Sequence, residues 1–235
     1  MPRFPRHNPR LQDRDLDILE HVMRYRITTP EVLHRMPQFA DCDRNAVTKV
    51  TSRLCEGEFL LSFPLYKSFT YFTLGKRGAR VMGLAYRRIG GLGPRPLYRE
   101  YGTLAYCCLT STPRHRLRVS DVQKQFPECA PKGKIDAGHY CTERPTGVEI
   151  PAYIWVEAGG APAHVLDVVS NNILGNRRHY PGMRERIDEG RYMVTVVTYN
   201  DEKRDAIAEV LKKLRYPVYI RVEVIPELIH LLPAD

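Results

Sequence analysis

The sequence predicts an α/β chain in two parts. The first part is basic and helical and closes with a two-stranded hairpin; in the second, strands and helices alternate. Three observations carry this. Helical apolar periodicity dominates the first sixty residues, then gives way to an aromatic and β-branched run that breaks in its middle. Gly and Pro cluster in "RRIGGLGPRP", residues 87–96, the composition of a linker. Charge is uneven as well: residues 1–102 hold 18 Lys and Arg against 10 Asp and Glu, whereas residues 103–235 hold 18 against 17.

The first helix is read in "LQDRDLDILEHVMRYR", where Leu16, Leu19 and Met23 share a face with Val22 beside them and Asp13 is the expected N-cap. In "TTPEVLHRM", Thr29 suits the N-cap, Pro30 the first helical position and Glu31 the positive helix end, with Val32, Leu33 and Met36 apolar. The third helix is read in "DRNAVTKVTSRLCEG". Val47, Val50 and Leu54 form its buried stripe, Asp43 caps its start, and Gly57 is expected to end it in the left-handed conformation. Its opposite face collects Asn45, Thr48, Lys49 and Ser52, flanked by Arg44 and Arg53, the donors and acceptors that reach base edges and phosphates.

After Gly57, "EFLLSFPLYKSFTYFTL" reads as two strands around a tip at Pro64 to Ser68, with Tyr66 and Lys67 at the turn. "GKRGARVMGL" reads as a short closing helix exposing Lys76, Arg77 and Arg80. Three helices, a hairpin and a basic close predict a winged helix-turn-helix over residues 1–86. Its third helix would enter the major groove of double-stranded DNA. Asn45, Thr48, Lys49 and Ser52 would read bases, while Arg44, Arg53, Lys67, Lys76 and Arg77 would hold phosphates.

Residues 87–112 are expected to form the linker and a connecting helix, "LYREYGTLAYCCL", with Leu97, Tyr101, Leu104 and Cys108 on one side. Residues 113–235 are expected to form an α/β domain. Its strands are read in "KIDAGHYCT", "AYIWVEA", "HVLDVVS", "YMVTVVTY" and "VYIRVEVI". Helices are read around "NRRHYPGMRERIDEG" and after Asn200 or Asp201, where Ile207, Val210, Leu211 and Leu214 share a face.

Composition excludes several classes. The six cysteines form no CxxC pair, and Cys129, His139 and Cys141 lack regular ligand spacing, so no structural metal or disulfide framework is expected. No apolar run has the length of a membrane span, and "MPRFPRHNPR" carries no hydrophobic signal segment, so a cytoplasmic protein with no membrane partner is expected. The positive excess on one half points to a polyanion such as nucleic acid.

The run from "RDLDILEHVMRYRITTPEVLHRM" through "RNAVTKVTSRLCEGEFL" to "FTYFTLGKRGARVMGL", together with "GRYMVTVVTYNDEKRDAIAEVL", resembles the replication-relaxation family of bacterial mobile elements. That resemblance implies a restriction-endonuclease-like α/β domain after the winged helix: an Asp-Gly strand, a strand ending in an acidic residue, then an Arg-rich helix. The matching residues are Asp136, Asp167 and the helix bearing Arg177 and Arg178. Such a nuclease needs two carboxylates for Mg²⁺ and a lysine two positions after the second. That position is Val169; Lys134 on the neighbouring strand is the substitute for the lysine and Glu157 a further candidate for the metal site, but an inactive nuclease-like domain and no cofactor are expected. Arg177, Arg178, Arg184 and Arg186 would add a second DNA or partner surface. The implied task is plasmid transfer or replication, or control of the genes concerned, with other proteins of a transfer complex as partners and a homodimer as one assembly. The alternative is a metal-dependent endonuclease using Asp136, Asp167 and Lys134 with Mg²⁺.

Overall fold

The computed structural model describes residues 11–84, 89–112, 114–130 and 138–233. It is a mixed α/β chain that divides into two compact units, Met1–Leu104 and Ala105–Asp235. Among the described residues, no helix is long and apolar enough to cross a membrane.

In the first unit α1 (Asp13–Tyr25), α2 (Pro30–His34) and α3 (Arg44–Glu56) precede a hairpin of β1 (Leu60–Pro64) and β2 (Thr70–Leu74), then α4 (Lys76–Val81). Asp13 opens α1 rather than capping it. The N-cap is Gln12, whose amide donates to Asp15 Oδ2 at 2.9 Å, because a carboxylate at the third helical position can reach back where one at the first cannot. Thr29 caps α2 through the Val32 amide at 3.3 Å, and Asp43 caps α3 through the Ala46 amide at 2.9 Å.

The end of α3 differs from expectation. Gly57 has φ −78°, and the left-handed residue is Glu58 at φ 59°. The Glu58 amide donates to Cys55 O and the Phe59 amide to Leu54 O, both at 2.9 Å, so the reversal falls one residue later and Phe59 drops into the core. Two glycines make the next contact possible. A Cβ on Gly75 would stand 2.3 Å from the Glu58 carbonyl oxygen, and one on Gly78 would stand 2.1 Å from that of Phe59. The start of α4 therefore lies directly on the turn that ends α3.

The hairpin is antiparallel, with Leu60 opposite Leu74 and Pro64 opposite Thr70. Thr28 adds a bridge to its other edge, donating to Phe72 O at 3.0 Å and accepting from its amide at 2.8 Å. Ile18, Leu19, Leu33, Val47, Leu54 and Phe72 form the shared core. The boundary between units falls inside α5 (Pro94–Cys108), whose Glu100 pairs with Arg26 at 2.9 Å in the first unit.

The second unit is a five-stranded sheet in the order β3 (Arg116–Leu117), β4 (His139–Glu143), β5 (Ile150–Val156), β6 (Met193–Thr198), β7 (Tyr219–Val224). β4 runs antiparallel to both β3 and β5, and β5, β6 and β7 are parallel to one another. Parallel pairing requires crossovers. These are α7 (Pro162–His179) with α8 (Pro181–Asp188), and α9 (Asp201–Leu211); α6 (Val119–Gln125) lies between β3 and β4. Every residue of β6 is buried, as befits a strand covered on both faces.

The stretch "HVLDVVS" is not a strand but part of α7. Val165, Val169 and Ile173 recur every four residues along its buried side, a period that the short β-branched window concealed and the full eighteen-residue helix reveals. The same side carries Asn172, whose amide is bonded through both its oxygen and its nitrogen, and Asn176, whose nitrogen is bonded while its buried oxygen has no partner among the described residues. Asn172 accepts from Tyr192 at 2.8 Å, and Asn176 donates to the Tyr192 hydroxyl at 3.1 Å. Asn200 rather than Asp201 caps α9, accepting from the Lys203 amide at 2.8 Å.

Candidate nucleic-acid interface

The buried stripe of α3 comprises Val47, Val50, Thr51 and Leu54, which turns the rest of the helix outward. Arg44, Asn45, Thr48, Lys49 and Ser52 are all exposed. Thr48 bonds back to the Arg44 carbonyl at 3.3 Å. Asn45 Nδ2 donates to Asp43 Oδ2 at 3.3 Å, so its amide leans on the capping residue. Arg44 has no side-chain partner among the described residues.

At the other end of α3, Arg53 is differently engaged. Its guanidinium donates to Asp15 Oδ1 at 2.5 Å, and the Asp15 carboxylate is fully buried. Arg53, expected to hold a phosphate, already serves as counter-ion between α1 and α3. Arg77 is similarly committed: it donates to the Gly57 carbonyl at 3.2 Å and lies over the Phe59 ring at 4.4 Å. Lys76 and Arg80 are exposed on α4.

The hairpin tip closes through a bond from the Phe69 amide to Tyr66 O at 2.9 Å, which leaves Lys67 exposed at φ 49°. The Tyr66 and Phe69 rings meet at a tilt with centroids 5.0 Å apart, and Phe69 is half exposed. Between this tip and the first turns of α2 and α3 lies a cleft of about 490 Å³, lined by Arg35, Arg44, Thr48, Tyr66 and Phe69 among others. The first unit thus presents a polar helix face, a cationic turn and a cleft between them. Their mixture of guanidinium, ammonium, amide, hydroxyl and aromatic groups suits a phosphate backbone with base edges.

In the second unit Asp167 does not stand at the end of a strand, where the resemblance would put it. Asp167 is exposed on α7, and Val169 is core. The carboxylate does not end a strand, and the position after it that a nuclease lysine would need is packed inside. Asp136 and Lys134 lie outside the described residues. The acidic residue that follows a strand is Glu157. It is buried after β5, its amide donates to Val197 O at 2.9 Å, and Lys203 Nζ stands 3.8 Å from its carboxylate. Arg177 pairs with Asp188 at 2.8 Å and lies over Tyr216; Arg184 donates to the Arg177 carbonyl at 2.8 Å. Arg186 pairs with Glu128 and covers Phe126. Arg178 is exposed.

Among the described residues no group of three or more His, Cys, Asp or Glu could hold a metal. His139 Nδ1 faces Arg116 at 2.6 Å, while Cys129 and Cys141 are buried. Burial pushes the Cys129 thiol up to about 11, against the pull of Arg186.

Sequence reasoning missed one polar cluster. Glu143 of β4 accepts from Tyr106 of α5 and from Arg114, and Arg221 of β7 stands 3.3 Å away. Tyr106 also meets Thr195 at 3.1 Å. Burial, then the neighbouring Cys141 and the bond to Glu143, hold the phenol well above its ordinary range, so it stays a neutral donor. Its members lie more than a hundred residues apart at the extremes, and no spacing in the sequence marks them. No family model, curated protein or solved structure matches the chain.

Proposed function

We propose that the chain is a sequence-specific double-stranded DNA-binding protein whose first unit is a winged helix-turn-helix. One observation carries the reading: Arg44, Asn45, Thr48, Lys49 and Ser52 share the exposed face of α3, beside a hairpin whose turn exposes Lys67. Further support comes from the order of elements, three helices then an antiparallel hairpin, and from the Thr28–Phe72 bridge that ties the hairpin to the helices. Asn45, Thr48, Lys49 and Ser52 read base edges; Arg44, Lys67 and Lys76 hold phosphates. Arg53 and Arg77 support that surface from behind.

From the family resemblance we infer a protein of a bacterial plasmid or integrative element that acts in the cytoplasm, in transfer or replication or on the genes for them. The second unit is read as a nuclease-like domain without nuclease chemistry. Support for this comes from β5, which is followed by acidic Glu157, and from α7, which ends in Arg177 and Arg178. The register of the resemblance moves accordingly, from Asp167 to Glu157.

Selection of bound sequences from a random duplex pool tests the proposal, followed by titration of the winner and of random duplex with two variants. Asn45→Ala should lose about 1–3 kcal/mol on the selected duplex and little on the random one, since an amide matches the N6 and N7 of adenine. Lys67→Ala should weaken both alike, because a phosphate contact carries no direct sequence information. A pool that yields no enriched sequence defeats the proposal.

A further inference from the structure

We propose that β7 is a dimerisation edge, through which two copies of the chain pair antiparallel about Val222 and join two five-stranded sheets into one of ten. Among the described residues β7 is the last strand of its sheet. The Tyr219 amide donates to Tyr192 O at 3.0 Å and the Ile225 amide to Thr198 O at 2.8 Å. Alternation along a strand then turns residues 219, 221, 223 and 225 toward β6, and aims the amides and carbonyls of Ile220, Val222 and Val224 at the open edge. None of those three residues bonds elsewhere among the described residues.

The edge is apolar as well as open. Tyr219 and Ile220 are 39% and 38% exposed. Beside it a cleft of about 330 Å³ runs between β7 and α9, lined by Ile220, Val222, Ala208 and Leu211 with Arg204 and Lys212. Chains normally blunt such an edge with proline or with charged side chains, lysine above all. Tyr219–Val224 has no proline and no lysine, and its two charges, Arg221 and Glu223, are opposite.

Those charges decide both the occupant and the register. A two-fold pairing that joins outward-facing residues can be centred on residue 221, 222 or 223. Centring on Arg221 sets two guanidiniums face to face, and centring on Glu223 does the same for two carboxylates. Only Val222 at the centre sets Arg221 of each copy opposite Glu223 of the other, with Ile220 opposite Val224 on the second face. Opposite charges across strands stabilise and like charges repel, so the strand is complementary to itself in one register. Within its own copy Arg221 also contacts Glu143 at 3.3 Å and the Tyr106 hydroxyl at 3.4 Å.

Sedimentation equilibrium of the full chain at micromolar concentration should give twice its 27.1 kDa. Glu223→Arg should raise the dimer dissociation constant by about tenfold or more and Glu223→Gln by less, with circular dichroism unchanged. On the unsubstituted chain, the amides of Ile220, Val222 and Val224 should exchange hydrogen slowly when concentrated and faster on dilution, while those of 219, 221 and 223 stay protected throughout. That measurement decides even if Glu223→Arg fails to fold. A monomer at every concentration overturns the proposal. So does a dimer that is indifferent to Glu223→Arg and whose three outward amides do not respond to dilution. Neither readout involves DNA, so a failure here leaves the binding proposal standing, and the reverse.

Discussion

Arg44 and Arg53 carry the same charge on the same helix, yet they do different work because of what lies beneath them. Arg44 stands over the first turn of α3 and is exposed, whereas Arg53 reaches down to a carboxylate with no solvent exposure at all. Removing one partner of such a pair leaves the other charge poorly compensated, which costs about 3–5 kcal/mol when both are buried. The Arg53 side chain is about a third exposed, so water can partly replace it, and about 1–3 kcal/mol is the expected loss for Arg53→Ala. Urea unfolding should therefore show the variant destabilised before any DNA is added. Undiminished stability with weakened duplex binding would return Arg53 to the phosphates.

At the scale of elements, α4 and the hairpin base depend on the absence of two methyl groups. Gly78→Ala places a Cβ against the Phe59 carbonyl, a backbone atom that cannot rotate aside, so α4 must lift from the turn after α3. We expect a loss of about 1–3 kcal/mol, the range for overpacking a tight contact, read as a lowered melting temperature; an unchanged one would mean that α4 shifts freely. The turn chemistry of this region was only partly legible in the sequence. Caps at Thr29 and Asp43, the stripe of α3 and the hairpin tip announce themselves through local residue types, and the structure contains them. The left-handed Glu58 does not, because what holds it is the burial of Phe59 and the approach of α4, both set from elsewhere. The same reason hid α7: Val165 and Val169 in the seven-residue window "HVLDVVS" look like strand, and only Ile173, Asn172 and Asn176 beyond them restore the helical period. Of the candidate site, the exposed face of α3 could be read directly, while the commitments of Arg53 and Arg77 could not, since Asp15 and the Gly57 carbonyl are tens of residues away.

For the whole molecule, charge and ionisation set two expectations. If the basic face displaces counter-ions from about six phosphates, log K against log salt should fall with a slope of roughly −5. A slope near zero would assign the positive charge to something other than a nucleic-acid backbone. Stability should also decline in alkali. The folded chain keeps protons on Cys129, whose thiol is pushed by burial to about 11, and on Tyr106, Cys55 and Cys141, all raised from their ordinary values. An unfolded thiol releases its proton near 9. The folded state therefore binds more protons above that point, and its stability, intact below pH 9, should fall as pH rises through 9 toward 11. Melting temperatures across that window check the sign; a rise would contradict it.

The cluster around Glu143 carries a consequence for how this sequence can change over time. One carboxylate serves Tyr106, Arg114 and Arg221, which come from α5, the segment before β3, and β7. Losing Glu143 alone would leave Arg114 buried without its counter-charge, and losing Arg114 alone would leave the acid short of its closest cation. Neither step is neutral by itself, so descendants of this chain should keep the set intact or exchange it together for apolar residues. Positions 106, 114, 143 and 221 are accordingly expected to vary as one character across diverged copies, while Arg178, which no such partnership holds among the described residues, drifts independently.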